Sequence, residues 1–279
     1  MDLSGLANGP KVYFELPFDL PDGLLTFKNL ITQTTVSIFV VTLILIVLAL
    51  SVRKTFKKRP GRFQVVLEKL IDMLYGLVEG TMGKHNLKFA PYIGTLFITS
   101  VLSTLIGMTN IFRSATADLS VTAAWAIVTT GMVWYHNIKN FGFGTWLKGF
   151  TEPIVVMTPM NIVSEIANPI SMAFRHFGNV AGGSVLTGLI YAALAGASSA
   201  LFSLLPGALG SLLSSIPILQ VGIPAVLSIY FDLFSGFVQA LVFSLLTMVY
   251  VGGACPPPEE IAAAREEKLA KKAAKKAKN

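Results

Sequence analysis

Long runs of apolar residues dominate the chain, and its polar residues cluster in short segments between them. A helix needs about 20 mostly apolar residues to cross the hydrocarbon core of a bilayer. The runs of suitable length predict five membrane spans, at about 35–52, 89–111, 119–136, 166–205 and 216–251. The sequence therefore predicts an all-α integral membrane protein with a membrane domain over residues 31–255.

The last two apolar runs are too long for upright helices. Each would rise roughly 50–60 Å as a continuous helix, whereas the hydrocarbon core is about 30 Å thick. Either these helices are strongly tilted or they break, and the segment Ala-Gly-Ala-Ser-Ser at 195–199 is the evident break point in the first. We expect tilt, with the two long helices forming a strongly tilted hairpin.

The segment 63–79, between the first two runs, has helical periodicity with two distinct faces. Apolar residues occupy one face: Phe63, Val66, Leu67, Leu70, Leu74, Leu77 and Val78. Polar residues occupy the other: Gln64, Glu68, Lys69, Asp72 and Glu79. This pattern predicts an amphipathic helix that lies on the cytoplasmic surface of the membrane or against a neighbouring soluble stalk.

The basic residues are concentrated in two segments, one directly after the first run and one in the tail at 256–279. Cytoplasmic loops of membrane proteins carry an excess of Lys and Arg. Both segments are therefore expected in the cytoplasm, which agrees with five spans and an outer N-terminal segment over residues 1–30. That outer segment is expected to be an exposed tail or a short helix, and the basic tail allows a frayed surface helix near anionic lipid.

Composition narrows the function. The chain is 53% hydrophobic and 13% charged, compared with about 25% charged residues in soluble domains. The net charge of +7 lies in the two basic segments. We therefore interpret it as a signal of membrane topology and not as a nucleic-acid-binding surface. The single cysteine and three isolated histidines predict neither a disulfide framework nor a metal or cofactor site. No phosphate loop or nucleophile elbow is present, so we expect no catalytic activity in this chain.

Arg175 lies inside the fourth apolar run. A cation at the centre of a membrane helix costs about 2.5–3.5 kcal/mol on insertion scales, so it is expected to face a partner or water. On a helix Arg175 shares a face with Asn179, Gly182 and Gly183. Small residues let another helix approach closely, so the pattern predicts a fixed charge beside a close-approach groove.

The last run repeats this pattern. Asp232 and Gln239 are seven residues apart and therefore lie on one helical face, with Ser235 and Gly236 between them. In a hairpin Gln239 is expected near Arg175. A helix–helix hydrogen bond is the alternative role for Gln239.

Two further sites remain open from the residues alone. Glu165 and Asn168 precede Pro169, and Glu165 either favours the dipole at a helix start or lines a polar path from the cytoplasm. His176 follows Arg175 but points about 100° away around the helix, so we expect it to be packed and neutral.

Three motifs give the chain a family resemblance. Phe174-Arg-His-Phe-Gly178-Asn179 resembles the Arg-Leu-Phe-Gly-Asn signature of subunit a of F-type rotary ATP synthases. Thr116-Ala-Asp-Leu-Ser-Val-Thr-Ala-Ala is similar to that family's third-span motif, and the stretch from Gln239 to Tyr250 is similar to its last-helix ending. The motifs occur in the family's order, and the resemblance covers about 89–251.

The resemblance implies a role for each residue. Arg175 would be the stator arginine that faces the carboxylates of a rotating c-ring, with Gln239 beside it. Glu165 would lie on a cytoplasmic half-channel and Asp232 on an outer one. The chain departs from the family at His176, where leucine is usual, and at Ser184, where many members carry glutamate.

The resemblance also implies partners and a location. The expected partners are the c-ring, the peripheral-stalk subunit b, the lipid bilayer and a translocated H⁺ or Na⁺. The expected location is a bacterial cell membrane, crossed several times, with the N-terminus outside and the C-terminus in the cytoplasm.

Two other functions compete with this interpretation. The first is a self-contained secondary transporter in which Arg175 binds an anionic substrate, although such folds often contain two repeated halves and no repeat is found here. The second is a membrane scaffold that transports nothing, in which Arg175 pairs with a partner's carboxylate for assembly alone.

Overall fold

The computed structural model of the chain describes residues 12–15, 29–57, 60–109, 111–152, 154–203 and 229–277. Apart from two short strands, these residues form helices and the turns that join them. The α-helices are α1 (Gln33–Thr55), α2 (Arg62–Met82), α3 (Ala90–Met108), α4 (Leu119–Phe141), α5 (Phe143–Gly149), α6 (Thr158–Ser203), α7 (Ser235–Ala254) and α8 (Pro258–Ala277). Three short 3₁₀ turns (Lys84–Phe89, Ala115–Ala117 and Val155–Met157) and a π-helical turn (Ile229–Phe234) join them.

The two strands were not predicted. β1 (Val12–Glu15) pairs antiparallel with β2 (Asn29–Thr32), which leads directly into α1. The short helix that we considered for the N-terminal segment therefore does not form at 12–15. The rest of that segment, up to residue 28, lies outside the described residues.

Four stretches of the described chain are long and apolar enough to cross a membrane: Gln33–Lys54, Lys84–Met108, Val155–Leu201 and Ser235–Glu266. They correspond to the first, second, fourth and fifth predicted spans. The third predicted span forms helix α4, but α4 is not apolar enough to count among these four stretches. The connection at 204–228, which would close the predicted hairpin and contains the start of the fifth span, lies outside the described residues.

Helix α6 is continuous over 46 residues. It passes through 195–199 without interruption, so the break that we considered there does not occur. It also passes through Pro169 and begins at Thr158, eight residues before the predicted start of the span. Far more than the roughly 20 residues needed to cross a bilayer therefore belong to one helix.

The chain forms two compact units. The first unit contains residues 1–48, 99–121 and 175–240. Its interior is rich in small polar side chains from α3 and its following turn, including Ser100, Thr104 and Thr116. In this unit Thr34 at the start of α1 donates a hydrogen bond of 2.8 Å to Asp118, just before α4. Asp118 also accepts from Ser120 in the first turn of α4, which is the capping role that aspartate commonly has.

The second unit contains residues 49–98, 122–174 and 241–279. Its apolar core joins the end of α2, the start of α3 and the end of α7; the buried side chains are Val78, Met82, Phe89, Ala90, Ile93, Met248, Val251 and Cys255. Gly94 and Gly252 allow close packing here, because a Cβ on Gly94 would lie 2.6 Å from Leu74 Cδ2.

The C-terminal end of α7 is held by side chains from other elements of the second unit. The imidazole Nε2 of His85 and the amide of Asn86 each lie 2.8 Å from the carbonyl of Cys255. Asn140 in α4 donates to the carbonyl of Ala254 at 2.9 Å. The last carbonyls of a helix have no partner within the helix, so these donors fix where α7 ends and α8 begins.

The amphipathic prediction for α2 needs one correction. Gln64, which the periodicity places on the polar face, is buried. Its amide exchanges two hydrogen bonds with the backbone of Lys57 and donates a third to Glu68. Several apolar side chains of the opposite face, among them Phe63, Val66 and Leu70, are more than half exposed, as expected for a helix that lies against lipid or a partner chain.

Candidate functional site

Arg175 borders an open recess of about 470 Å³ in the first unit. Helix α6 contributes Arg175 and Asn179, which are one turn apart. The π-helical turn and α7 contribute the remaining lining residues: Tyr230, Phe234, Ser235, Val238 and Gln239. The structure therefore brings the predicted arginine, asparagine and glutamine to one place, although Gln239 is 64 residues from Arg175 in the sequence.

The charge of Arg175 is not neutralised by the described residues. Its side chain is exposed, and the described part of the chain contains one close ion pair, between Lys84 and Glu79. Gln239, by contrast, is 8% exposed. The recess thus combines an accessible guanidinium with a buried amide.

Asn179 connects α6 to α7. Its amide nitrogen donates to the backbone carbonyl of Ser235 at 3.0 Å, and its amide oxygen accepts from the Ser235 hydroxyl at 2.7 Å. Both polar ends of the asparagine are therefore used within the first unit. This arrangement fixes Asn179 as one wall of the recess, beside Arg175.

His176 is 1% exposed and packs inside the first unit. Its Nε2 atom lies 3.0 Å from the hydroxyl of Ser100 in α3. The ring also interacts with the backbone of Gln239 in α7. His176 thus points away from the recess side of α6 and links this helix to two others, as the 100° offset from Arg175 suggests.

The π-helical turn Ile229–Phe234 precedes α7 and carries Asp232. The structure describes the backbone of Asp232 but not its side chain, so the predicted contact with water or a partner lies outside what is described. Tyr230 and Phe234 stack in the same turn, with ring centroids 5.7 Å apart, and both line the recess. Single π turns inside helices often mark functional sites.

The predicted close-approach residues divide into two groups. Gly178 and Gly182 lie on an exposed side of α6, and a Cβ at either position would meet nothing within 4 Å. Gly183 is buried. Gly236 is also buried, and a Cβ there would lie 2.4 Å from Thr104 Cγ2, so the close approach at Gly236 is to α3 within this chain. Ser184 is exposed and donates to the carbonyl of Ala181.

A second recess, of about 70 Å³, lies in the second unit around Glu165 and Asn168. Both residues belong to α6, together with Pro169 and Met172. Helix α4 contributes Thr129, Thr130 and Val133, and α7 contributes Tyr250. The indole nitrogen of Trp134 donates to the Glu165 carboxylate at 2.5 Å.

The helix-start interpretation of Glu165 is wrong. Helix α6 begins at Thr158, so Glu165 lies in its third turn, whereas the dipole effect falls off within the first. The other alternative, that Glu165 lines a polar path from the cytoplasm, stays a prediction; the structure shows Glu165 in the lining of this recess. Pro169 lies four residues later and has no amide hydrogen, so the carbonyl of Glu165 loses its helical donor.

Sequence reasoning did not find Tyr230, Ser100, Thr129 or Trp134 as neighbours of the site residues. The sequence does not distinguish these residues from others of their type, because Ser and Thr are common in membrane helices and Trp134 resembles an aromatic residue at the membrane interface. The one available signal was Pro169, since a proline inside a helical pattern marks a freed carbonyl four residues earlier.

Comparison with known proteins identifies the family. The sequence model of the ATP synthase A chain family matches residues 34–252. ATP synthase subunit a, sodium ion specific, of Propionigenium modestum is 31% identical over 275 residues, covering 89% of this chain and 86% of that protein. ATP synthase subunit a of Bacillus subtilis is 30% identical over 225 residues, covering 77% of this chain and 88% of that protein.

The match includes Arg175, Asn179 and Gln239, and it spans both units. Members of this family are non-catalytic, ion-conducting membrane subunits, and ATP is made by other subunits of the complex. The chain belongs to the ATP synthase A chain family, as a subunit a of an F-type ATP synthase.

Proposed function

We propose that this chain is the ion-translocating stator subunit of its ATP synthase, with Arg175 separating two aqueous half-channels that reach the carboxylates of a rotating c-ring. The observation that carries the proposal is the recess in which Arg175 is exposed beside Asn179 and Gln239. A membrane cation without a carboxylate partner among the described residues is suited to an acidic group on another subunit.

The electrostatics of Arg175 account for the coupling. A ring carboxylate that has taken up an ion is neutral and rotates through lipid. Beside Arg175 the positive charge favours the anionic carboxylate, so the ion is released into the other half-channel. The same charge repels a cation that would leak directly between the channels. Each elementary charge that crosses contributes about 2.3 kcal/mol per 100 mV.

Arginine suits this role better than lysine. A guanidinium remains protonated when it is partly buried, whereas a lysine shifts its pKa readily in such places. The exposed glycines support a ring surface at this face. Gly178 and Gly182 follow Arg175 at helical spacing on α6 and have open space beside them, which lets a neighbouring helix approach closely.

The half-channels are assigned from the polar groups. Glu165 and Asn168, in the recess of the second unit, line the cytoplasmic one. Asp232 supplies the titrating group of the outer one, in place of a glutamate at Ser184. Asn179 and Gln239 flank the arginine between them.

The wider assembly follows from the same role. The chain crosses a bacterial cell membrane five times, with α4 as the third span, the N-terminus outside and the C-terminus in the cytoplasm. Helices α6 and α7 form a tilted hairpin along the ring. The exposed apolar face of α2 suits lipid or the peripheral-stalk subunit b.

The translocated ion is H⁺ or Na⁺. One relative is described as sodium ion specific. Measuring ATP hydrolysis by the assembled complex against Na⁺ concentration distinguishes the two, since a Na⁺ enzyme is stimulated by Na⁺ and a proton enzyme is not.

The central experiment replaces Arg175 by Ala and by Lys in membrane vesicles, with complex assembly checked in parallel. We expect both variants to assemble and both to lose coupled ATP synthesis. Arg62→Ala, which removes an exposed arginine at the start of α2, is the matched control and should retain synthesis.

Two outcomes would count against the proposal. Wild-type coupled synthesis in Arg175→Ala would show that the arginine does not separate the channels. Full activity of Arg175→Lys together with failed assembly of Arg175→Ala would favour the scaffold, because assembly needs only a positive charge.

A further inference from the structure

The recess around Glu165 combines a carboxylate with several other oxygen-bearing residues. Its lining residues are one glutamate, one asparagine, two threonines and one tyrosine, together with a valine, a proline and a methionine. Lysine and arginine are absent from this lining. Its volume of about 70 Å³ exceeds the roughly 10–15 Å³ that one water needs on the same kind of measure.

Among the described residues the Glu165 carboxylate has no positive partner. Within the described ranges the close ion pair joins Lys84 to Glu79, so Glu165 has only the neutral donor Trp134, which binds one of its two oxygens. Glu165 is half-buried, and its second carboxylate oxygen has no hydrogen-bond partner among the described residues. The second oxygen of Glu165 is therefore available to a ligand.

Thr129 provides the second observation. It is 1% exposed and lines the recess, and its hydroxyl has no hydrogen-bond partner within the described part of the chain. Buried polar side chains are nearly always hydrogen bonded. The neighbouring Thr130 hydroxyl donates to the carbonyl of Ala126, which leaves its own lone pairs as acceptors.

Pro169 adds one more oxygen. Because proline cannot donate to the residue four positions earlier, the backbone carbonyl of Glu165 is released from the helical hydrogen-bond pattern. Pro169 itself lines the recess. Carbonyl oxygens freed from a helix within a membrane protein commonly coordinate Na⁺ or H⁺ in transporters.

We propose that this recess binds one partly dehydrated monovalent cation, with the Glu165 carboxylate and the Thr129 hydroxyl as ligands. Oxygen ligands suit hard cations. A single carboxylate balances one positive charge, and the described residues contain no group of three His, Cys, Asp or Glu side chains suited to a multivalent metal. Asn168, Thr130 and Tyr250 are the other oxygen-bearing residues of the lining.

The role of this site rests on the proposed function: the recess would hold the translocated cation on the cytoplasmic side. Trp134 is a positioning residue, because its indole fixes the orientation of the Glu165 carboxylate.

The test measures binding of Na⁺ alone to the assembled complex by equilibrium dialysis with radioactive Na⁺, without nucleotide. The c-ring is the same in every variant and gives a constant background. We expect the wild type to bind one more Na⁺ per complex than Glu165→Gln.

Thr129→Val removes the hydroxyl at nearly constant volume. This variant should bind the same Na⁺ about tenfold more weakly, the order expected for one lost neutral ligand. Tyr250→Phe serves as a second variant if Thr129→Val does not assemble.

Thr247→Val is the matched control. Thr247 is also fully buried, its hydroxyl has no partner among the described residues, and it lies in α7 outside the recess lining. This variant should bind Na⁺ as the wild type does. Equal Na⁺ binding in the wild type and Glu165→Gln would overturn the inference, and so would equal effects of Thr129→Val and Thr247→Val.

The Arg175→Ala variant separates this inference from the proposed function. It should lose coupled synthesis and retain the Na⁺ site. If coupling is lost in Arg175→Ala while no variant of the recess changes Na⁺ binding, the cation site is wrong and the stator role stands. If Arg175→Ala remains coupled, the stator role is wrong whatever the binding result.

Discussion

Asn179 and Ser235 are joined by two hydrogen bonds of 2.7 and 3.0 Å, one through the serine hydroxyl and one through its backbone carbonyl. The pair ties the arginine-bearing helix α6 to the start of α7. It stands where the π-helical turn gives way to regular α-helix. The position of Arg175 relative to Gln239 therefore depends on a contact between two small polar side chains.

Replacing Asn179 by Ala should destabilise the subunit more than replacing Ser235 by Ala. The first change removes both hydrogen bonds and leaves the Ser235 carbonyl without its side-chain donor, whereas the second removes one bond. Hydrogen bonds between membrane helices contribute about 0.6 kcal/mol on average and up to about 1.7. Thermal unfolding of the complex, followed by release of the subunit, measures the difference.

Ser184→Ala is the control, because that exposed hydroxyl bonds only within its own helix. A larger effect of Ser184→Ala than of Asn179→Ala would contradict the prediction.

Replacing Gly236 by Ala should disturb the packing of α7 on α3. The added methyl would lie 2.4 Å from Thr104 Cγ2, and overpacking of this kind typically costs 1–3 kcal/mol. Combining it with Thr104→Ser removes the clashing methyl and should restore much of the lost stability. Gly131→Ala in α4, where a Cβ meets nothing within 4 Å, should be nearly neutral. The measurement is the yield and thermal stability of the assembled complex. Failure of Thr104→Ser to rescue Gly236→Ala would show that the clash is not the cause.

Replacing His176 by Leu should affect stability but leave ion translocation close to the wild-type rate. The buried His176 ring hydrogen bonds to the hydroxyl of Ser100. Replacing His176 by Leu therefore leaves that buried hydroxyl without this partner. A double-mutant cycle with Ser100→Ala should give a coupling of about 0.6–1.7 kcal/mol. Coupled ATP synthesis per assembled complex is the second measurement. Loss of synthesis with intact assembly and stability would place His176 in the ion path instead.

The sequence predicted those parts of the site that depend on local helical periodicity. Arg175 and Asn179 share a face because they are four residues apart in a helix, and the structure has them lining one recess. The cost of a charge among apolar residues also predicts that Arg175 faces a partner, water or both, and this stays a prediction. By contrast, the sequence offered two roles for Glu165, and the observed start of α6 at Thr158 removed one of them.

Long-range packing was not accessible in the same way. Ser100 and Thr129 resemble many other small polar residues of membrane helices, and their roles depend on which helix faces them. Periodicity places Gln64 on an exposed face, but the side chain is buried and hydrogen bonds to the backbone of Lys57, a contact that the sequence pattern does not describe. The pairing of Val12–Glu15 with Asn29–Thr32 depends likewise on two segments meeting.

The sequence by itself determined the membrane class, four long apolar helices and the placement of an arginine inside one of them. These features depend on hydrophobicity and on spacing along one chain segment, which the order of residues states directly. Only the tertiary structure decided that Asn179 binds Ser235, that Gly236 meets Thr104 and that Thr129 lies in the recess with Glu165. Those contacts depend on how helices from distant parts of the chain are rotated against each other, and many rotations satisfy the same hydrophobic pattern.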